Sequence, residues 1–355
     1  MQQHDAGVPS LQRTAGKVSC NLKLRQRFCL RKDSYRAQGG ATVNFDERKD
    51  LLGLKDLSKE EIELILDTAV PMKDVIRREI KKVPALRGKG MITVFYENST
   101  RTRTSFELAG KYLSADTSNL AVSTSSVQKG ESLKDTIKTI EMMGPDILVM
   151  RHSMSGAPHY VARNTTMRVI NAGDGTNEHP TQALLDMFSI RERKGTLEGL
   201  KVAIVGDILH SRVARSNIYG LSKFGCEVRV VGPSTLMPPE IERLGVKQYF
   251  DLKEGISGVD VINVLRIQRE RQRTGLFPSL DEYAELYMLR PEHLKFAGDD
   301  AIVLHPGPMN RGIEISTELA ESPNTLVNEQ VANGVAVRMA LLFLMMGGRK
   351  DEIAA

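Results

Sequence analysis

Between Met91 and Leu304 the chain alternates short β-branched, apolar runs with stretches of helical period. The runs are Met91–Tyr96, Asn119–Val122, Asp146–Arg151 and Arg168–Asn171, then Lys201–Val205, Glu227–Val231, Asp260–Leu265 and Ala301–Leu304. Helical segments separate them: Arg101–Leu113, Leu133–Met143, a short one near Pro158–Arg163, a long one from Pro180 to about Gly195, Arg212–Phe224, and others near Pro239–Arg243 and Leu280–Met288. Strands that follow one another through helices pair in parallel, with the helices as crossovers. The predicted class is α/β, with two doubly wound parallel-sheet domains joined by interdomain helices. At roughly 100–200 residues per domain, 355 residues fit two.

Two further helices flank this series. Ser58-Lys59-Glu60-Glu61 is a capping box, with Ser at the N-cap and Glu three residues later. Behind it Ile62, Ile65, Leu66 and Ala69 form an apolar stripe; Pro71 predicts a kink, and Pro84 lies beyond the end. Near the C-terminus, Glu329–Met346 reads as a buried helix able to pack on either half. Its apolar stretch, Val335–Met346 (VAVRMALLFLMM), is broken by Arg338 and falls short of the ~18 apolar residues a membrane span needs.

The formal charge of +5 and pI near 9.0 suggest nucleic acid as a partner until the charge is located. Residues 1–42 carry eight Lys or Arg against two Asp, an excess greater than that of the whole chain, so the rest is close to neutral. The basic balance therefore belongs to the tail, and neither nucleic acid nor membrane is expected as a partner. The tail lacks the apolar core of a secretory signal, and its arginines show no clear amphipathic period. It is expected to be a basic, disordered segment. Fold-like sequence begins at Val43, which is expected to mark a natural start, with residues 1–42 as upstream translation or a dispensable extension. The three cysteines, Cys20, Cys29 and Cys226, form no CxxC and no even framework, which points to a reducing cytoplasm.

The motifs that carry chemistry sit where strands end. Tyr96–Glu107 (YENSTRTRTSFE) puts hydroxyls and arginines at a strand-to-helix corner. A helix start offers unpaired N–H groups and a positive dipole end, an anion site in itself. Ser99, Thr100 and Thr102 add hydroxyls, and Arg101 adds a fork matched to phosphate oxygens. A lone serine here would be only a cap; the clustering favours a ligand. The order is not GxxxxGK[ST], so this is not a Walker loop. Arg151-His152-Ser153 ends another strand, at the edge where α/β sheets bind ligands. His179-Pro180-Thr181-Gln182 opens a helix after GDGTNE, with Pro suited to the first turn; His179 can donate to a carbonyl and Gln182 offers an amide. Gly206–Arg212 (GDILHSR) has the place of a dinucleotide turn but not its glycines, and Arg212 can face a carboxylate instead. Arg266–Arg271 (RIQRER) follows a strand and can grip a dicarboxylate or phosphate. His305–Arg311 (HPGPMNR) is a rigid loop that can aim backbone carbonyls at an amine. There is no activated cysteine, no metal-ligand cluster and no catalytic carboxylate pair. The chemistry read from these residues is anion binding and carbonyl polarisation without a protein nucleophile, metal or cofactor.

In this set of motifs the sequence resembles the catalytic chains of the aspartate carbamoyltransferase family over about Val43–Gly348. STRTR, QKGES (Gln128–Ser132), MRHS (Met150–Ser153), HPTQ, GDILHSR, RIQRER and HPGPMNRG stand in the family's order. STRTR and HPTQ are shared with ornithine carbamoyltransferases, but the HCLP motif of those enzymes is absent. The resemblance implies transfer of a carbamoyl group from carbamoyl phosphate to L-aspartate, an early committed step of pyrimidine synthesis. It implies a carbamoyl-phosphate domain over residues 43–182, completed by a helix at 327–348, and an aspartate domain over residues 183–326. Ser99, Thr100, Arg101 and Thr102 would hold the phosphate. Arg151, His179 and Thr102 would hold the carbamoyl oxygen, and Gln182 the carbamoyl amide. Arg212 would take the α-carboxylate of aspartate, with Arg266 and Gln268 on the β-carboxylate. The backbone of Gly307 and Pro308 would orient the two amino groups. Ser125 and Lys129 would come from the neighbouring chain of a homotrimer, Lys129 also reaching aspartate. Glu97 would tie to Arg212 and Arg271 on closure. Some family members carry Leu at the position of Gly307, a departure expected to matter little. Dihydroorotase or regulatory chains are the larger partners such a chain can have. Rival readings are a carbamoyltransferase for ornithine or another amino acid, and a non-catalytic scaffold of the same fold.

Overall fold

The computed structural model describes residues 35–36, 42–43, 45, 48–121, 130–268 and 279–347. Residues 1–44 and 45–355 form separate units. In the first, Tyr35–Arg36 and Thr42–Val43 pair as antiparallel two-residue strands; the remainder of the tail, on which the expectation of disorder fell, lies outside the described residues. So do Ser125, Lys129 and Arg271.

The second unit begins with α1 (Lys59–Arg77), whose capping box forms as expected: Glu61 N–H donates to Ser58 Oγ, and Ser58 N–H donates to the Glu61 carboxylate. Ile62, Ile65, Leu66 and Ala69 are fully enclosed. At roughly 1.5–3 kcal/mol per fully buried large apolar side chain, this stripe anchors the helix. The helix continues across Pro71, because Met72 and Val75 beyond it are enclosed as well.

A four-stranded parallel sheet follows, made of β1 (Gly90–Phe95), β2 (Asp116–Ala121), β3 (Ile147–His152) and β4 (Arg168–Asp174), in the order β2-β1-β3-β4. Its crossovers are α2 (Thr100–Tyr112), α3 (Leu133–Glu141) and α4 (Ala157–Arg163). Then α5 (Pro180–Lys194) leads to a second parallel sheet: β5 (Lys201–Val205), β6 (Glu227–Val231), β7 (Lys247–Tyr249), β8 (Val261–Val264) and β9 (Ile302–Leu304), in the order β9-β8-β5-β6-β7. Its connections include α6 (Arg212–Ser222), α7 (Leu252–Ile256) and α8 (Leu280–Tyr287); α9 (Thr317–Ala320) and α10 (Val327–Met345) end the chain. The inner strands are covered on both faces, so they read as continuous apolar runs.

In each sheet the winding reverses once, between β1 and β3 and between β5 and β8. Such switch points leave a crevice beyond the strand ends. The two sheets are joined by α5, in which every residue from Pro180 to Ile190 is buried. Helix α10, which the sequence left able to join either half, packs on α1, α2 and α5. Strand β7, α7 and the 3-10 turn Pro291–Phe296 were not anticipated. Among the described residues no helix is long and apolar enough to cross a membrane.

Candidate active site

The carboxyl ends of the two sheets open on one cleft of about 580 Å³. Ser99, Thr100, Arg101, Thr102 and Arg151 line it from the β1 and β3 ends, with His179 and Gln182 at the start of α5. From the second sheet come Arg212, Arg266, Gln268, Gly307 and Pro308. All the described residues singled out from the motifs as ligand contacts thus meet in one place. Among the described residues lining the cleft are six arginines (Arg101, Arg151, Arg212, Arg266, Arg311 and Arg338) and no Asp or Glu. Among the described residues no group of three or more His, Cys, Asp or Glu is placed to hold a metal ion. The Cys226 thiol is pushed up to about 11 by burial, so it is no nucleophile at neutral pH.

Two helices bring starts without a side-chain cap to this cleft. Helices α1, α3 and α8 are capped by a serine side chain and carry acids in the first turn. Helix α2 has Ser99 at its N-cap with no side-chain capping bond, and α5 has His179 likewise; neither has an acid in its first turn. Their N–H groups and dipoles are left for an external anion. Thr102 and His179 are buried at 7% and 4% exposure, so a ligand reaching them is largely stripped of water. His179 is pinned from behind: its N–H donates to Ser216 Oγ (2.9 Å), which donates to Glu178 Oε2 (2.9 Å).

Glu97 bridges the two sheets. Its Oε2 accepts from Arg151 Nε at 3.1 Å and from Arg212 Nη2 at 2.7 Å. The tie to Arg212 was expected; that to Arg151 was not. Arg212 also donates to Gly175 O at 3.3 Å and lies flat on Gly173, where φ is +115° and a Cβ would stand 3.0 Å from the guanidinium carbon. Only glycine leaves room for that arginine. Arg103, by contrast, faces Glu107 on its own helix at 3.9 Å and is a surface residue.

The loop after β9 is built around His305. Gly307 N–H donates to His305 Nδ1 (2.8 Å), so the ring proton sits on Nε2 and faces Glu314 Oε1 at 3.3 Å. Asn310 N–H donates to the same oxygen at 2.6 Å. The Gly307–Pro308 peptide is cis. Gly307 has φ of +59°, and a Cβ there would stand 3.2 Å from the Arg101 guanidinium carbon. The glycine leaves room for the Arg101 guanidinium as well as offering its backbone. Partial burial, and secondarily the charge of Arg266, hold the Arg101 guanidinium below its ordinary value. Gln268 folds its amide back on Arg266 O at 3.3 Å.

The structure adds residues that the motifs did not mark. Arg338 of α10 is 4% exposed, lies over the Phe106 ring, and donates to Ser105 Oγ at 3.0 Å and Thr181 Oγ1 at 3.4 Å. Burial lowers its guanidinium to about 10, which still leaves it charged at neutral pH. Gln330 of α10 accepts from His305 N–H at 3.0 Å. Behind Gln182 lies the fully buried Asp186.

Comparison with known proteins matches this arrangement. Residues 49–192 match the carbamoyl-P binding domain of the aspartate/ornithine carbamoyltransferases, and residues 198–345 match their Asp/Orn binding domain. The aspartate carbamoyltransferase catalytic subunit of Syntrophomonas wolfei is 80% identical over 307 residues, covering 86% of this chain and 98% of the relative. That of Moorella thermoacetica is 67% identical over 302 residues, covering 85% of this chain and 98% of the relative. Among solved structures, aspartate transcarbamoylase from Trypanosoma cruzi in complex with N-(phosphonacetyl)-L-aspartic acid is 30% identical with a TM-score of 0.79, covering 85% of this chain and 97% of that one. The catalytic subunit from M. jannaschii is 39% identical with a TM-score of 0.73, covering 83% and 97%. With both family domains matched in order and relatives this near along almost their whole length, the chain belongs to the aspartate/ornithine carbamoyltransferase family, among its aspartate carbamoyltransferase catalytic subunits.

Proposed function

We propose that the chain transfers the carbamoyl group of carbamoyl phosphate to the amino group of L-aspartate, giving N-carbamoyl-L-aspartate and phosphate. One observation carries the reading: the cleft between the sheets is lined by six arginines and no described carboxylate, beside two uncapped helix starts. Such a site suits two anionic substrates and disfavours a cationic amino acid. In this reading residues 43–182 with 327–348 form the carbamoyl-phosphate domain and residues 183–326 the aspartate domain. The phosphate lies on Ser99, Thr100, Arg101 and Thr102 at the start of α2. The carbamoyl oxygen faces Thr102, Arg151 and His179, with Gln182 at the amide. Arg212 takes the α-carboxylate, Arg266 and Gln268 the β-carboxylate, and the backbone of Gly307 and Pro308 orients both amino groups.

The amine attacks the carbonyl carbon and the new C–N bond forms. Charge gathers on the carbonyl oxygen, where three preorganised donors stabilise it; removing one such donor typically costs about 10²–10³ in rate. The C–O bond to phosphate then breaks. No described carboxylate stands in the cleft to take the amine proton, so the leaving phosphate takes it. Holding two like-charged substrates in contact needs the arginines to offset their repulsion, and then gains the rate advantage of proximity. Ser125 and Lys129 complete the site of the neighbouring chain in a trimer that works in the cytoplasm. The test is a carbamoyl-phosphate-dependent assay with aspartate and with ornithine in parallel; faster turnover of ornithine would sink the reading.

A further inference from the structure

Asp186 sits on α5 one turn beyond Gln182, and no step above uses it. Its side chain is fully enclosed. Oδ1 accepts from Gln182 Nε2 at 2.9 Å and from Gln330 Nε2 at 2.7 Å. Oδ2 accepts from Asn217 Nδ2 at 2.9 Å and Asn263 Nδ2 at 3.4 Å. Four amides, from α5, α10, α6 and β8, thus converge on one carboxylate. An ionised carboxylate accepts and cannot donate, so each amide must turn its nitrogen inward. Burial holds the Asp186 carboxyl above its ordinary value, and the four amide donors offset only part of that rise. The charged, buried Arg338 also feels its field.

The inward nitrogen fixes where each amide oxygen goes. For Gln330 the result is visible, since its Oε1 accepts from His305 N–H and so holds the loop that carries Gly307. Gln182 lines the cleft, and its Oε1 accepts from none of the described residues. We propose that Asp186 is a positioning residue for donor specificity: by holding Gln182 with its carbonyl oxygen toward the transferred group, it selects an NH₂ substituent over a methyl of similar size. The inference rests on the carbamoyl-transfer reading and adds the discrimination between carbamoyl and acetyl phosphate. Both donors undergo the same step: the amine forms a C–N bond, the C–O bond to phosphate breaks, and phosphate takes the amine proton, leaving N-acetylaspartate in the acetyl case. A carbonyl oxygen meets NH₂ as an acceptor, whereas methyl leaves it unpaired. Sites built around such a hydrogen bond reject the analogue lacking it far more strongly than apolar pockets reject a size difference.

The experiment measures, on the full chain with aspartate as acceptor, the ratio of kcat/KM for carbamoyl phosphate to that for acetyl phosphate. If acetyl transfer falls below detection, the Ki of acetyl phosphate against carbamoyl phosphate replaces it. Asp186→Asn brings a donor of its own and loses an acceptor, so a glutamine amide is released to turn. The ratio should fall at least about tenfold, with the loss in the carbamoyl arm and a melting curve showing a folded protein. The double variant Asp186→Asn/Gln182→Met should match Gln182→Met alone. A ratio unchanged within about twofold, with both donors slowed equally, makes Asp186 a scaffold residue and overturns the proposal; so does an additive double variant. If Asp186→Asn does not fold, Asp186→Glu replaces it, and an unchanged ratio there overturns the proposal. Absence of carbamoyl transfer by the unmodified chain would overturn the parent reading instead, so the two failures are distinguishable.

Discussion

Glu97 Oε2 accepts from two described arginines, Arg151 at the end of β3 and Arg212 at the start of α6. Hydrogen bonds to charged groups contribute about 1.5–3 kcal/mol each, and Glu97→Gln keeps the shape while removing the charge. We expect kcat/KM for aspartate to drop by about 10–100-fold with the fold retained; steady-state kinetics unchanged from the unmodified chain would remove the bridging role. His305 gives a pH signature. Burial lowers its imidazole below the ordinary 6.5, and the Glu314 contact opposes this only in part. The folded state therefore refuses a proton that the unfolded chain accepts, and stability is lost as pH falls below about 6.5. Comparing Tm at pH 7.5 and 5.5, His305→Gln should lose less than the unmodified chain. The residues that sequence made legible are those whose types cluster locally, such as Ser99–Thr102. Asp186, Gln330 and Arg338 were not legible, because their roles arise only when α5 packs on α10, across 144 residues of chain.

At the level of elements, the contrast between capped and uncapped helices separates folding from function. Ser58 satisfies its helix internally, so Ser58→Ala should cost about 0.5–2 kcal/mol of stability in urea unfolding and leave turnover alone. A change in turnover would mean that α1 has a role beyond support. The buried strands were readable because enclosure on both faces makes them long apolar runs. Strand β7 was not: it is a three-residue edge, KQY, with Lys247 exposed, and tertiary pairing with β6 makes it a strand. Pro71 lies inside α1, and enclosed neighbours on both sides, Ala69 and Met72, carry the helix through it.

For the whole molecule, two switch points and one buried helix bring the edges of separate sheets to a common cleft. The alternation of strands and helices foretold the sheets, but not how they meet, which depends on α5 being buried from Pro180 to Ile190. If Ser125 and Lys129 act in the neighbouring chain's site, two inactive variants should complement each other. Mixing Arg101→Ala and Lys129→Ala chains under subunit exchange should restore partial activity; an inactive mixture would confine each site to one chain. The arginine-lined cleft has a thermodynamic consequence too. Glu97 offsets Arg151 and Arg212, and Glu321 offsets Arg311. The positive charge that remains in the cleft is relieved by a bound anion. A small dianion is then a counter-ion of the native state as well as a reactant, and at a hundred times its Kd it would stabilise the fold by about 2.7 kcal/mol. Heated in orthophosphate rather than in chloride of equal ionic strength, the protein should melt later, and the cell's own phosphate would act as part of its scaffold between turnovers.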